Sequence, residues 1–417
     1  MHRLRPVGRQ DARLQALPIV RAQRADAVDV AARALPGAKS EVVKTMNGEP
    51  AVMDDQRKRT VTEPVHRSSF ILPRSFRVFI SGYPGDVGGA NTECWHAVRL
   101  WRQFGLEVTL IPTWTAPARW RARLDGIGCE TVECKPEALR DVPGLPGSVV
   151  VSFCNSNFLA AAERFRDLEC RIVWVGCMNW LFAEERRLYR RQGPFDAYVF
   201  QSRHQQEELQ PQLAEFGVGP ERCHRIRGAF FWDEFPFRPL PHPPGTPLVI
   251  GRISRAAVDK YSSNTWPIYA RIPHPVLARL MAWDRRVQRK LGPPPEWAEC
   301  LPAGAESPQD FLAKLHSMVQ VNGGAGENWP RSGLEAMATG VPVVVQNQWG
   351  WREMIRHGRT GYLCDSDDEL AYYTARLAYD EDLRLEMACQ ARKALQEELA
   401  NPEEIWAGWK RLWEGLA

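Results

Sequence analysis

The chain has 417 residues, 44% of them hydrophobic and 25% charged, and a formal net charge of +4. That length exceeds one typical domain and points to two or three, and the composition is that of a globular chain rather than a disordered one. No apolar run reaches the roughly 18 residues of a membrane-crossing helix, and the ten cysteines include no CxxC pair, which argues against a zinc ribbon or a disulfide framework and fits reduced thiols in a cytoplasmic protein.

Residues 1–75 hold 14 Lys and Arg against 8 Asp and Glu, a local +6, so the remaining 40 against 42 leave −2 for the body. This stretch ends in the polar run 54–69 and reads as a basic, weakly structured N-terminal extension. It is either a solvated arm or one drawn to nucleic acid or an anionic surface. Its first residues are basic, but no apolar core of signal-peptide length follows, and Met46 and Met53 are further candidate starts.

Order is predicted to begin at 76–82, a short apolar strand, followed by a Gly-rich loop (Gly85, Gly88, Gly89), a helix over 93–104, a stop at Gly105 and a strand over 106–111. Strand, loop, helix, strand is a βαβ unit. The alternation continues with strands at 148–153, 171–175 and 197–201 and helices at 157–166, 182–191 and 204–216. Six prolines within 232–247 cannot continue a helix or a central strand, so this segment is a linker. A second α/β half opens with the strand 248–253. A helix is expected over 275–291, another over 308–316, then a strand at 318–321. After the loop and helix 322–340 come a strand at 341–346, the segment 361–363 and helices over 367–379, 381–399 and 402–416. The last carries Trp406, Trp409 and Trp413 at helical spacing, a stripe that packs a helix onto a body. The expected organisation is an extension (1–75), an N-terminal Rossmann-like domain (76–240), a C-terminal Rossmann-like domain (241–400) and a terminal helix (401–417). Two doubly wound halves put a ligand at the carboxyl ends of the strands, between them.

The densest chemistry lies in Glu327-Asn328-Trp329-Pro330-Arg331-Ser332-Gly333-Leu334-Glu335. Pro suits a first helical turn, so a helix starts near Pro330 or Arg331. Its N-terminus aims the N–H groups of Ser332, Gly333 and Leu334 at an anion. Glu335, one turn in, can accept both hydroxyls of a ribose, and Glu327 can reach a sugar. Arg252, at the end of the strand 248–253, and Lys260 can clamp a diphosphate, the first through its planar fork and the second as a point charge. Each feature also has an ordinary reading: two solvated glutamates at a helix start, two surface cations, a plain βα turn at Gly88 and Gly89. No acidic residue ends the strand after the Gly-rich loop, which disfavours a dinucleotide-dependent dehydrogenase.

The stretch from Glu327 to Glu335 resembles the E-x7-E signature of retaining GT-B glycosyltransferases of the large family 4 group (glycosyl transferases group 1). Residues 335–344, 350–353 and 358–363 look like that family's continuation. Gly251-Arg252-Ile253 with Lys260 looks like its phosphate clamp, at a longer spacing than usual, and Gly88-Gly89 like its N-terminal loop. The resemblance covers about 76–417 and implies an α/β, GT-B architecture: two Rossmann-like domains facing a central cleft, with a C-terminal helix packing back on the body. It implies that Arg252 and Lys260 bind the donor diphosphate, that Glu335 holds the ribose, and that Glu327 takes a donor-sugar hydroxyl. It also implies transfer with retention and without a metal or other cofactor. Two departures bear on the sugar end. Trp329-Pro330 replaces a common Phe-Gly step, and Gly176-Cys177-Met178-Asn179 stands where the family often has a histidine, leaving Asn179 to supply hydrogen bonds.

The expected partner is a nucleotide-diphosphate sugar. The acceptor is open: a surface glycan, a lipid intermediate, a protein, or a hydroxymethylated base in phage-type DNA, for which Arg119-Trp120-Arg121-Ala122-Arg123 is the candidate basic-aromatic patch. A non-catalytic sugar-nucleotide-binding protein and a sugar-nucleotide epimerase are the alternatives.

Overall fold

The computed structural model describes residues 76–85, 88–113 and 115–416. The basic extension 1–75 therefore lies outside the described residues. Strands and helices alternate from the first described residues onward. They are β1 (Arg77–Ser81), α1 (Gly89–Gln103), β2 (Glu107–Ile111), α2 (Ala118–Asp125), β3 (Glu130–Thr131), β4 (Val149–Phe153), α3 (Ser156–Asp167), β5 (Arg171–Val175), α4 (Ala183–Gln192), β6 (Ala197–Phe200), α5 (Arg203–Ala214) and β7 (Cys223–Arg225). The second half contains β8 (Leu248–Ile253), α6 (Thr265–Ala270), β9 (Val276–Met281), α7 (Arg285–Leu291), β10 (Ala298–Leu301), α8 (Pro308–Leu312), β11 (Ser317–Gln320), α9 (Arg331–Thr339), β12 (Val343–Gln346), α10 (Trp351–Met354), β13 (Tyr362–Cys364), α11 (Asp367–Tyr379), α12 (Glu381–Ala394) and α13 (Pro402–Leu416).

Two separate parallel sheets result, in the orders β3-β2-β1-β4-β5-β6-β7 and β10-β9-β8-β11-β12-β13. Both are doubly wound, and the strand order reverses between β1 and β4 and between β8 and β11. At such points the loops leave to opposite faces and open a crevice at the carboxyl ends of the strands. Strands such as β4 and β6 are buried along their whole length, as expected for sheets covered on both faces. In the first half α3, α4 and α5 cover one face; α1 and α2 cover the other, and α13 returns from the chain end to join them. The tryptophan stripe of α13 does what its spacing implies. Trp409 and Trp413 stand edge-on to Trp101 of α1 with centroids 4.8 and 5.4 Å away, and Trp406 stacks on Phe104 at 5.0 Å.

One expected helix is wrong. Residues 276–281 form β9, paired along its length with β8 and along its last four residues with β10. The run Val276-Leu277-Ala278-Arg279-Leu280-Met281 is apolar enough for either structure, and only its sheet neighbours decide. The real helix start is Asp284, whose side chain accepts from the N–H groups of Arg286 and Val287. The stop at Gly340 is as predicted: φ is +88°, and an added Cβ would lie 2.9 Å from the Phe237 ring. Among the described residues no helix is long and apolar enough to cross a membrane.

The linker is fastened to the second half by His316. Its Nδ1 accepts from Val249 N–H at 2.8 Å, and its Nε2 donates to the Pro241 carbonyl at 3.0 Å, so both ring nitrogens are engaged in the neutral form. Burial, with smaller contributions from Arg384 and His242 against the opposing Glu381 and Pro241 carbonyl, lowers its pKa to about 4. An unfolded histidine takes up its proton near pH 6.5. Stability from this group is therefore complete above that pH and lost as pH falls toward about 4, where the folded ring protonates. Melting temperatures of wild type and His316→Asn across pH 4–7 should show a steeper acid-side decline in wild type; parallel curves would contradict this.

Candidate active site

Lys260 follows β8 and Glu327 follows β11, so the loops on either side of the second sheet's crevice bring together residues 67 positions apart. Lys260 Nζ lies 2.6 Å from Glu327 Oε1, and each side chain is 13% exposed. Gln320 Nε2, at the end of β11, donates to the same oxygen at 3.3 Å. The pair is desolvated enough to be strong and open enough to be reached.

Arg252 takes another position than the one expected. It is fully buried. Nη1 donates to the Val321 carbonyl and Nη2 to the Lys260 carbonyl, while the guanidinium lies over the Tyr261 ring, 4.3 Å from its centroid. Burial pushes its pKa down. In this arrangement Arg252 fastens the loop that carries Lys260 to the end of β11. Of the two expected cations, Arg252 thus faces backbone carbonyls, and Lys260 faces Glu327.

Helix α9 begins at Arg331, with Pro330 as its N-cap and no side-chain cap. Of the three expected anion donors, the Gly333 N–H is taken by the Pro330 carbonyl at 3.0 Å, and Leu334 is fully buried. Ser332 N–H has no acceptor among the described residues. Gly333 is required for packing, because an added Cβ would lie 2.6 Å from Trp351 Cζ3 and 2.7 Å from Met354 Sδ. Glu335 is half-buried, and no described residue bonds its carboxylate. Burial raises its pKa and Arg331, one turn earlier, opposes the rise.

The first sheet's crevice faces these loops. Gly88 caps α1 with a φ of +97°, and a Cβ on Gly89 would lie 3.9 Å from Arg331 Cγ. Asn179, in the loop after β5, has Nδ2 and Oδ1 buried without partners, and its Nδ2 lies 2.9 Å from where a Gly326 Cβ would be. The sequence-selected residues Gly89, Asn179, Lys260, Glu327 and Ser332 thus border one seam, with Glu335 on its flank. Three polar links across the seam were not anticipated. Arg331 Nη1 meets Glu93 Oε2 of α1 at 2.8 Å. Asn328 Nδ2 donates to Gln201 Oε1 at 3.0 Å. Glu353 of α10 accepts from the Arg203 and His204 N–H groups at 2.9 and 2.8 Å, capping α5. No spacing rule pairs residues 238 apart such as Glu93 and Arg331; the only signal was a charged residue inside an apolar helix face.

The arginine side chains of the patch 119–123 remain partly exposed. Trp120 is buried, Arg121 pairs with Glu133, and Arg123 pairs with Glu234 at 3.3 Å while stacking on Trp95. Among the described residues no cluster of three or more His, Cys, Asp or Glu is arranged for a metal ion.

A family model described as glycosyl transferases group 1 matches residues 310–394, the segment from α8 through α12 that includes Glu327 and Glu335. The match is confined to those residues. The fold of the chain is GT-B. HepE of Anabaena, in a complex with UDP-glucose, superposes with a TM-score of 0.63 over 82% of this chain and 99% of that one, at 16% identity. A TarM mutant of S. aureus, in a complex with fondaparinux, alpha-GlcNAc-glycerol and UDP, gives 0.64 over 81% and 99%, at 11% identity. N-acetyl-alpha-D-glucosaminyl L-malate synthase of Bacillus anthracis is 42% identical over 74 residues, 17% of this chain and 19% of that protein. The chain thus spans about a fifth of that relative's length.

The packing at Gly333 gives a direct check. Gly333→Ala should cost about 1–3 kcal/mol by overpacking against Trp351 and Met354. Chemical denaturation should show a lower midpoint with an unchanged slope, and an unchanged midpoint would refute the contact.

Proposed function

We propose that this chain is a retaining, metal-independent glycosyltransferase that moves a sugar from a nucleoside-diphosphate sugar to a hydroxyl acceptor. The observation that carries this reading is the Lys260–Glu327 pair, 2.6 Å apart at the start of α9, with the unpartnered Glu335 carboxylate one turn into that helix. Lys260 and the helix start suit a diphosphate, Glu327 a sugar hydroxyl and Glu335 a ribose. Glu327 and Glu335 fall within the matched residues 310–394, which supports it.

On this reading the donor diphosphate takes Lys260 over from Glu327 as its counter-ion. Glu327, released, accepts a hydroxyl of the donor sugar. Ser332 N–H and the helix dipole add positive potential where charge develops on the leaving group. The bond from the anomeric carbon to the diphosphate oxygen breaks, and the acceptor oxygen bonds to that carbon on the same face. The acceptor proton passes to the departing diphosphate. Asn179, with its unpartnered amide beside Gly326, reaches the sugar end. The acceptor hydroxyl is that of a surface glycan, a lipid intermediate, a protein or a hydroxymethylated base in DNA; in the patch 119–123 Trp120 is buried, while Arg121 and Arg123 pair with Glu133 and Glu234 and remain partly exposed.

Release of nucleoside diphosphate from UDP-, GDP-, ADP- and TDP-sugars tests this. Wild type should release it from one of them, whereas a pure binding protein releases none and an epimerase returns an isomerised donor. Lys260→Met and Glu335→Gln should each lower turnover by about 10²–10³-fold. Glu335→Gln should melt no lower than wild type, because it removes a costly buried charge. Wild-type turnover in both variants would overturn the site.

A further inference from the structure

Arg331 has a charge that the proposed reaction does not yet use. It is 8% exposed and cannot shed its proton. Nη1 is fully engaged, donating to Glu93 Oε2 and to the Ala229 carbonyl, each at 2.8 Å. Nε and Nη2 are buried and have no partner among the described residues. These two nitrogens share one edge of the guanidinium, and their N–H bonds point the same way. That edge is the fork with which arginine grips a carboxylate or phosphate through two parallel hydrogen bonds. Leaving it empty in a buried place costs more than leaving a neutral donor empty.

The edge is also held still. Glu93 is pressed against the backbone at Gly228, where any Cβ would collide with its carboxylate. The pair therefore joins α1, the segment after β7 and the start of α9 at one point. Arg331 shares a helical face with Glu335, four residues on, and its Cγ stands 3.9 Å from the Cβ position of Gly89. Arg252, the other arginine of the site, has two of its nitrogens on backbone carbonyls. Lys260 is a point charge with no planar fork.

We propose that the Nε/Nη2 edge of Arg331, fixed by Glu93 and the Ala229 carbonyl, is a bidentate oxyanion site at the seam. It rests on the function proposed above and adds a ligand-binding residue to it. The oxyanion is either a phosphate of the donor or a carboxylate or phosphate group of the acceptor.

Isothermal titration at low salt separates the sources. Wild type, Arg331→Lys and Glu93→Gln are each titrated with UDP, GDP, ADP and TDP, then, saturated with the tightest of these, with inorganic phosphate and with succinate. Arg331→Lys keeps the charge and loses the fork. If the oxyanion is the donor's, it should bind the nucleotide about ten- to a hundredfold more weakly than wild type. If it is the acceptor's, nucleotide affinity stays and the second anion is lost by the same factor. Glu93→Gln should lose less, because a glutamine oxygen still accepts from Nη1. A purely structural Arg331 would lower the melting temperature and leave all these affinities unchanged; that result overturns the proposal. Should Arg331→Lys be too unstable to titrate, Arg331→Gln, which keeps a donor toward Glu93, carries the same comparison. Wild type that binds no nucleoside diphosphate overturns the proposed function instead.

Discussion

The buried ion pair between Glu93 and Arg331 is the constraint on which the arrangement of the two sheets turns. The sheets share no strand, so their relation depends on contacts between loops and helix ends. Most such contacts tolerate sliding, but a charge pair taken out of water does not. Separating its members without resolvating them costs about 3–5 kcal/mol, and Gly228 leaves Glu93 little room to follow. Asn328 with Gln201, and Glu353 on the start of α5, add further directional bonds across the seam. All three links leave the second half between positions 328 and 353, the segment that also contains Ser332 and Glu335. The geometry of the candidate site and the relation between the domains are thus set by one short stretch of chain.

The charges around the same stretch are largely matched by one another. Lys260 and Glu327 neutralise each other at 2.6 Å. Arg252 turns inward and steadies the Lys260 loop through carbonyls. Among the buried polar atoms without a partner, those near the seam include the Asn179 amide, one edge of Arg331 and one oxygen of Gln320, with Arg252 Nε behind them. Together with the half-buried Glu335 carboxylate, this mixture of cation, carboxylate and amide suits a molecule that carries both an oxyanion and hydroxyls.

Much of this was legible in the sequence because it is local. The Gly340 stop, the start of α9 at Arg331, the tryptophan stripe of α13 and the alternation of strands with helices all follow from rules that act over a few residues. β9 was not legible, since an apolar run of six has no period that distinguishes a helix turn from a strand. The burial of Arg252 and the partnership of Arg331 with Glu93 were not legible either. Both depend on which strands lie side by side, and residue types at a strand end do not say whether a guanidinium turns toward a cleft or toward the backbone behind it. The carboxylate partners of Arg121 and Arg123 were not legible for the same reason: Glu133 and Glu234 lie outside the basic-aromatic stretch.

Hydrogen exchange measured with and without a nucleoside-diphosphate sugar tests the central claim most directly. The account predicts slowed exchange at 323–335 around the start of α9, and at 254–260, on addition of the sugar nucleotide that the protein uses, with weaker protection at 88–93 as the seam tightens. Protection confined to other segments, with these loops unchanged by every donor tried, would contradict it.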